Sequence, residues 1–487
     1  MKDPRNTSLT VLYKVIYDRQ PLQRALEQEF REEPLSEKMP SEDKASKRTV
    51  TQRTSSEGPS FLRLISGTSR SDGLSGPGGP FVRRLVRGCL EKKVLLEGLI
   101  SRKSSVPLKK MKPYVRLILL QALYELCYMD TEPYAAVSEA LRLAEKRRLS
   151  GLKGFINAVL RNILREKEIL MADLSFREAC SLPEPLFNLI SEWYDEETLK
   201  GIARSFSEEE RALSVRHMAS KVKEEAFLES LQAEGVSAVR DQAVEKAYFM
   251  EGGEDLTSLE TFRKGWMYVQ DVSSQLDACA VKDLTSGKDN IRILDLCASP
   301  GGKSIDLCDD CRDEGEILAC DLTEAKIKTI RENLERLDFR SVKTRINDAS
   351  VYQESFREQF DLVIADVPCS GLGTIRKKPD LLLSFDESTE KRLKDLVLLQ
   401  RKILENAALY VKPGGTLVYS TCTVNPEENE KQTEAFLSRH PEYVKKDLKE
   451  LLKTLPGKAF LDRDIRILPG ELPYDGFYVC RMEKEKD

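Results

Sequence analysis

Apolar residues recur at helical spacing from Ser8 to Phe30, where Leu9, Leu12, Val15, Ile16, Leu22 and Leu26 share a face. The pattern stops at Glu32. Residues 32–80 are rich in Ser, Gly, Pro and charge, with only Phe61-Leu62-Arg63-Leu64-Ile65 as an apolar anchor. Such a stretch buries too little apolar surface to order itself and is expected to be a flexible insertion. Helical spacing resumes at Phe81 and runs to about Glu168, through Val82, Leu85 and Val86, then Leu95, Leu96, Leu99 and Ile100, then Val115 to Leu126. Pro107, Pro113 and Pro133 fall near the expected breaks and first turns. Residues 1–168 are therefore expected to form a small all-α domain.

From about Ala172 the pattern changes to a mixture. Leu186–Trp193 and Glu196–Phe206 predict amphipathic helices, Ala212–Arg216 a strand, and Val222–Glu234 a helix ending before Gly235. Short strands near Val236–Val239 and Ala247–Phe249 complete an expected small α/β unit over 169–264. Over 265–487 strands and helices alternate. Ile291–Leu296, Glu316–Cys320, Val342–Ile346, Phe360–Ala365 and Gly415–Ser420 read as strands, and Lys391–Leu409 as a long amphipathic helix. Ile465–Leu468 and Gly476–Cys480 predict a closing antiparallel pair. Such alternation implies a doubly wound, mostly parallel sheet that binds ligands at the carboxyl ends of its strands.

Composition narrows the class. A chain of 487 residues exceeds one ordinary core and suggests about three domains. No apolar run approaches the roughly 20 residues that span a bilayer. The polar opening Met1-Lys2-Asp3-Pro4-Arg5 predicts no export. Eleven scattered cysteines fit a reducing cytoplasm better than a disulfide framework. Cys308 and Cys311 form the one close pair, and with only His217 and His440 beside it no metal site is expected. The net charge of −4 hides a basic stretch, Ser101–Leu170, with fourteen Lys or Arg against seven Asp or Glu. Two readings stay open there: solvated helix faces, or a phosphate-binding surface.

Candidate chemistry gathers in the last unit. Ile291–Leu296 runs into Cys297-Ala298-Ser299-Pro300-Gly301-Gly302-Lys303, a glycine-rich turn before a helix start. A phosphate-binding P-loop would need glycine where Cys297 stands, and a dinucleotide fingerprint would need a third glycine. What remains is a nucleoside-type cofactor without a pyrophosphate, for which S-adenosylmethionine is the obvious candidate. Asp321, 26 residues after Asp295, lies near the spacing at which an acidic residue reaches ribose hydroxyls. Asp348 and Asp366 end the next two strands. One such residue would be read as a cap or turn, whereas three at successive strand ends favour a ligand site. Cys369 and Cys422 follow neighbouring strands, and as a pair beside Asp366 they look chemical rather than buried hydrophobes. Such a pair suits one problem: carbon 5 of cytosine accepts a methyl group only after a thiolate has added to carbon 6. A protonated carboxyl at the N3 edge, the task assigned to Asp366, would stabilise the adduct.

Two resemblances extend this reading. Leu117–Leu126, Val137-Ser138-Glu139-Ala140 and Gly154–Arg161 resemble the core helices of the NusB-type RNA-binding fold. Gln270–Ser274, Cys297–Lys303, Asp366–Cys369, Gly373–Asp380, Pro413–Cys422, Asn425–Asn429 and Asp475–Tyr478 together resemble the Sun/Fmu-type RNA cytosine-5 methyltransferases. Ser299 and Thr423 stand where alanine and serine are usual in that family. The resemblance implies an α/β, Rossmann-like class I methyltransferase fold behind an all-α NusB-like domain and a small α/β middle domain. It implies Cys422 as nucleophile, Cys369 as the group assisting release, and cofactor contacts at Cys297–Lys303, Asp321, Asp348 and Asp366. The NusB-like front end points to small-subunit (16S) ribosomal RNA as partner. A target base must be extruded from its stack before a buried thiolate reaches it, and Arg376, Lys377 and Lys378 are expected to hold the flanking phosphates. The expected protein is a cytoplasmic monomer without metal or membrane. A non-catalytic RNA-binding assembly factor, or the same chemistry on transfer RNA, are the alternatives.

Overall fold

A computed structural model describes residues 3–30, 79–129, 131–206, 212–252, 256–286 and 290–486. The expected insertion, with its Phe61–Ile65 anchor, lies outside them except for its last two residues, which open a helix.

The run expected from Ser8 to Phe30 is two helices, α1 (Pro4–Ile16) and α2 (Leu22–Phe30). Arg19 takes a positive φ of 54° and Pro21 follows, so the first helix cannot continue. Then come α3 (Gly79–Glu91), α4 (Lys93–Lys103), α5 (Pro113–Tyr128), α6 (Pro133–Lys146) and α7 (Lys153–Arg165). Pro113 and Pro133 occupy first-turn positions, where a missing N–H costs nothing. Leu117, Ile118, Leu119 and Leu120 are all fully buried, so α5 is apolar all round and runs through the middle of the bundle. Its single buried charge, Glu125, is met by Arg5 at 2.6 Å.

Helices α8 (Glu184–Trp193) and α9 (Glu196–Ser205) form as expected, but their apolar faces turn away from the small sheet. Leu186, Ile190, Leu199 and Ile202 pack on Leu372, Ile375, Leu381 and Val424, in the loops after Cys369 and Cys422. The small sheet holds β1 (Leu213–His217), β2 (Ser237–Arg240), β3 (Ala247–Glu251) and β4 (Met267–Val269), antiparallel in the order β2-β3-β1-β4. Helix α10 (Glu224–Ala233) covers it through Phe227 and Leu231. Strand β4, beyond the expected boundary at 264, is too short to show an alternating pattern in sequence.

The large sheet contains β5 (Arg292–Asp295), β6 (Glu316–Asp321), β7 (Val342–Ile346), β8 (Phe360–Asp366) and β9 (Val411–Thr421), all parallel. β10 (Tyr443–Lys445), β11 (Phe460–Leu461), β12 (Asp464–Ile467) and β13 (Phe477–Lys484) complete it in an antiparallel sense. The order is β11-β12-β13-β9-β8-β5-β6-β7, with β10 on β13. From β5 the chain first builds outward through β6 and β7, then returns to place β8 on the other side. The order therefore reverses between β5 and β8, and a crevice opens above their carboxyl ends. Separate apolar clusters cover the two faces, as a mostly parallel sheet requires.

Candidate active site

The glycine turn fills that crevice. Gly301 sits at φ 110°, open to glycine alone in practice, and helix α11 (Gly302–Asp310) starts at the next residue. A Cβ on Gly302 would stand 3.0 Å from the Gln270 amide nitrogen and 3.3 Å from the Tyr268 ring. Under the turn, Asp295 is fully buried and accepts a bond from Ser304 Oγ at 2.7 Å, while its other oxygen has no partner. Burial pushes the Asp295 carboxyl up to about 7. Asp321 accepts from the Ser299 and Leu322 backbone at 3.0 and 2.7 Å and pairs with Lys326. Asp348 does not join them: it is exposed, accepts from Ser350 N and Oγ, and stays off the cavity wall.

A cavity of about 660 Å³ runs from this turn past Asp366 to both expected cysteines. Cys297, Ala298, Ser299, Pro300, Gly302 and Lys303 line one end, and Cys369 and Cys422 the other. Acidic side chains at strand ends, an unpartnered buried carboxylate oxygen and a turn where a Cβ on Gly302 would crowd Gln270 and Tyr268 fit a cationic nucleoside rather than a pyrophosphate.

The two sulfurs lie 3.3 Å apart, and all eleven cysteines are free. Cys369 is buried, whereas Cys422 is half-buried. Their mutual hydrogen bond separates them: it holds the Cys422 thiol below its ordinary value, with help from Lys378 and Lys303 and against burial. The same bond, together with burial, drives Cys369 well up. This is the division expected of one thiolate and one thiol.

A buried brace fixes both loops. Glu428, fully buried, accepts from Ser370 N at 2.8 Å, Gln400 Nε2 at 2.8 Å and Asn425 Nδ2 at 2.9 Å. Ser370 and Thr423, each one residue past a cysteine, share a 2.6 Å hydroxyl contact. Asn429 accepts from Thr421 and donates to the Thr423 carbonyl. The Asn425–Asn429 segment was visible in sequence only through family resemblance, without a role.

Lys303 was expected among the cofactor residues. Its ammonium instead reaches Asp366 Oδ2 at 2.5 Å and stands 3.4 Å from Asp277 Oδ2. Burial works against the charge, but Asp366 and Asp277 outweigh it and hold the Lys303 ammonium well above its usual range. Farther along α11, Arg216 from β1 is enclosed by Asp306 (3.2 Å), Asp309 (3.7 Å) and Asp310 (2.7 Å). Neither Asp277 nor Arg216 carried a signal in the sequence, because their partners lie far along the chain.

In the basic loop, Arg376 is buried on Asp475 at 3.1 Å, and Lys377 pairs with Asp271 and Asp475. These ion pairs anchor the loop. Lys377 and Lys378 both line the cavity. Gly373 and Gly476 meet backbone to backbone, where a Cβ on Gly373 would lie 2.0 Å from the Gly476 carbonyl oxygen. The all-α bundle docks here too: Arg87 donates to the Arg376 carbonyl, Arg19 to the Leu383 carbonyl at 2.7 Å, and Asp380 accepts from Leu22 N. Among the described residues no group of three or more His, Cys, Asp or Glu is placed to hold a metal, and no helix is long and apolar enough to cross a membrane.

Known proteins share this organisation. The family profile described as "16S rRNA methyltransferase RsmB/F" matches residues 284–483, and that of the NusB family matches residues 49–165. Ribosomal RNA small subunit methyltransferase B of Vibrio cholerae is 34% identical over 410 residues, covering 83% of this chain and 89% of its own. The crystal structure titled PH0851 matches with a TM-score of 0.71 at 22% identity, over 99% of this chain and 100% of that one. NSun6 from Pyrococcus horikoshii, solved with the S-adenosylmethionine analogue SFG, matches at 0.53 and 20% identity, over 63% of this chain and 99% of that one.

Proposed function

Because the chain belongs to the RsmB/F family of 16S ribosomal RNA methyltransferases, which use S-adenosylmethionine, we propose that it methylates carbon 5 of a cytosine through a covalent Cys422 adduct. The observation that carries this reading is the Cys369–Cys422 pair, 3.3 Å apart, on the wall of the same cavity as Asp366 and the glycine turn. When bound, S-adenosylmethionine supplies an electrophilic methyl group on its sulfonium. Cys297–Lys303 and Asp321 would hold it, with carboxylates toward its cationic end and ribose.

The Cys422 thiolate adds to carbon 6 of the extruded base, forming the C6–S bond as the ring's electrons move toward N3. Asp366 takes a proton from solvent as it leaves Lys303 and delivers it to N3, while Lys303 stays an ammonium. Carbon 5, now enamine-like, takes the methyl. Cys369, its own proton passed to solvent through the cavity, then takes the carbon 5 proton, the C5=C6 bond reforms, Cys422 leaves as thiolate, and N3 returns its proton to Asp366. Ordinary thiols are only a few per cent ionised at pH 7, so the hydrogen bond that lowers Cys422 raises the reactive fraction. The front helices, docked beside the cysteine loop through Arg87 and Arg19, are the RNA-gripping part, and Lys378 on the cavity wall is a phosphate contact of the loop.

Incubation with labelled S-adenosylmethionine and 16S ribosomal RNA tests the assignment. Cys422→Ala is expected to lose labelling by at least about 10³-fold. Cys369→Ala is expected to accumulate a protein–RNA adduct on a denaturing gel. Equal labelling by wild type and Cys422→Ala removes the nucleophile.

A further inference from the structure

We propose that Asp277 is a positioning residue that shares the Lys303 ammonium with Asp366 and so lets Asp366 leave its ion pair to meet the base. This rests on the reading in which Asp366 serves N3.

Asp277 lies in the short helix Leu276–Cys279, is 1% exposed, and stays off the cavity wall, so it touches no substrate. Its Oδ2 accepts from Ser420 Oγ at 3.1 Å and stands 3.4 Å from Lys303 Nζ. Its Oδ1 is buried with no hydrogen-bond partner. Ser420 pairs in register with Asp366 and lies two residues before Cys422. Asp277 thus backs the strand end that carries the nucleophile and the lysine that holds Asp366.

The resting arrangement poses a problem that Asp277 answers. Asp366 sits at 2.5 Å from Lys303, closer than Asp277, and its carboxyl must turn to N3 for the proposed chemistry. A buried ammonium stripped of its only counter-charge is strongly disfavoured, so a lone Lys303–Asp366 pair would be locked. With Asp277 at 3.4 Å and one carboxylate oxygen unused, Lys303 exchanges partners instead of losing one. A lysine suits this exchange: its ammonium is a point charge with rotatable donors, unlike the fixed fork of arginine.

The test is adduct formation on 16S ribosomal RNA carrying 5-fluorocytosine, whose carbon 5 fluorine cannot leave as a proton does. Wild type, Asp277→Asn and Ser420→Ala are compared for the adduct rate, for kcat and KM on unmodified RNA, and for S-adenosylmethionine affinity by calorimetry. Asp277→Asn is expected to slow adduct formation and kcat together by 10- to 100-fold, with KM and cofactor affinity within twofold. Ser420→Ala, which only loosens Asp277, is expected to slow both about threefold, and it carries the test if Asp277→Asn does not fold. A wild-type adduct rate in Asp277→Asn, or in Ser420→Ala when only that variant folds, overturns the proposal. A loss confined to cofactor affinity or thermal stability overturns it as well. No adduct from the wild type itself removes the underlying cysteine reading, a failure distinct from the others.

Discussion

Helix α11 carries a buried cation cluster at each end, and the two are built differently. At its first turn, Lys303 meets Asp366 and Asp277 beside the cavity, and Asp366 remains partly exposed. At its last turns, Arg216 reaches in from the small sheet to Asp306, Asp309 and Asp310, with Lys246 adding contacts to the last two. Both cations are buried among several carboxylates. Only at the lysine end does one of the carboxylates, Asp366, line the cavity, with the second carboxylate, Asp277, buried behind it at 3.4 Å. The arginine end ion-pairs with three carboxylates of α11 away from the cavity, so it fixes α11 against β1. The same electrostatic pattern thus serves two ends: one holds the cofactor helix still, the other keeps a charge exchangeable.

Removing each cation separates the two. Lys303→Met is expected to lower kcat by about 10³-fold while the protein unfolds near the wild-type temperature. Asp277 next to it already has its carboxyl pushed up to about 7, chiefly by burial, and can take up a proton when the ammonium is gone. Methylation within tenfold of wild type would erase the functional half of the comparison. Arg216→Met is expected to do the reverse, costing about 3–5 kcal/mol in urea unfolding because buried Asp306 and Asp309 and half-buried Asp310 lose their shared cation. Its kcat on folded protein at low temperature should stay within a few-fold of wild type. Unchanged stability would mean that the small sheet does not fasten α11.

How much of this was legible beforehand follows the range of the interactions. The five parallel strands, the turn at Cys297–Lys303 and the two cysteines were readable, because apolar runs ending in small or acidic residues are local patterns. Helices α8 and α9 were readable as helices, but not their packing on the Leu372–Leu381 loop, since an amphipathic face does not name its partner. Arg376 and Lys377 read as phosphate contacts in sequence, where nothing shows their pairing with Asp475, about a hundred residues later. Asp348 looked like Asp321 in sequence, yet only Asp321 turns toward the cavity. Asp277, Arg216 and Glu428 are the residues hardest to find from sequence, for each acts through partners supplied by the finished fold.

The lysine end also reaches the nucleophile, and that link gives a smaller effect. Cys422 is lowered mainly by its bond to Cys369, so Cys369→Ala should raise its pKa. The thiolate fraction at pH 7 then falls, and iodoacetamide labelling of Cys422 should slow several-fold at pH 7 while converging with wild type above about pH 10. Labelling that quickens at pH 7 in Cys369→Ala would show that the neighbouring sulfur shields Cys422 more than it activates it.

The smallest effect belongs to Lys378. It lines the cavity, and its charge lowers the Cys422 thiol less than the Cys369 bond does. Lys378→Ala should therefore slow iodoacetamide labelling at pH 7 by less than Cys369→Ala, about twofold. If Lys378 also meets a phosphate, binding of 16S ribosomal RNA weakens several-fold and the slope of log affinity against log salt falls by about one. Arg376→Ala gives the contrast: it breaks an internal pair with Asp475, so it should lower the unfolding temperature and leave the salt slope unchanged. A salt slope that falls equally in both variants would mean that the Arg376–Asp475 pair opens when RNA binds. The loop's anchor would then be exchangeable in the way that separates Lys303 from Arg216.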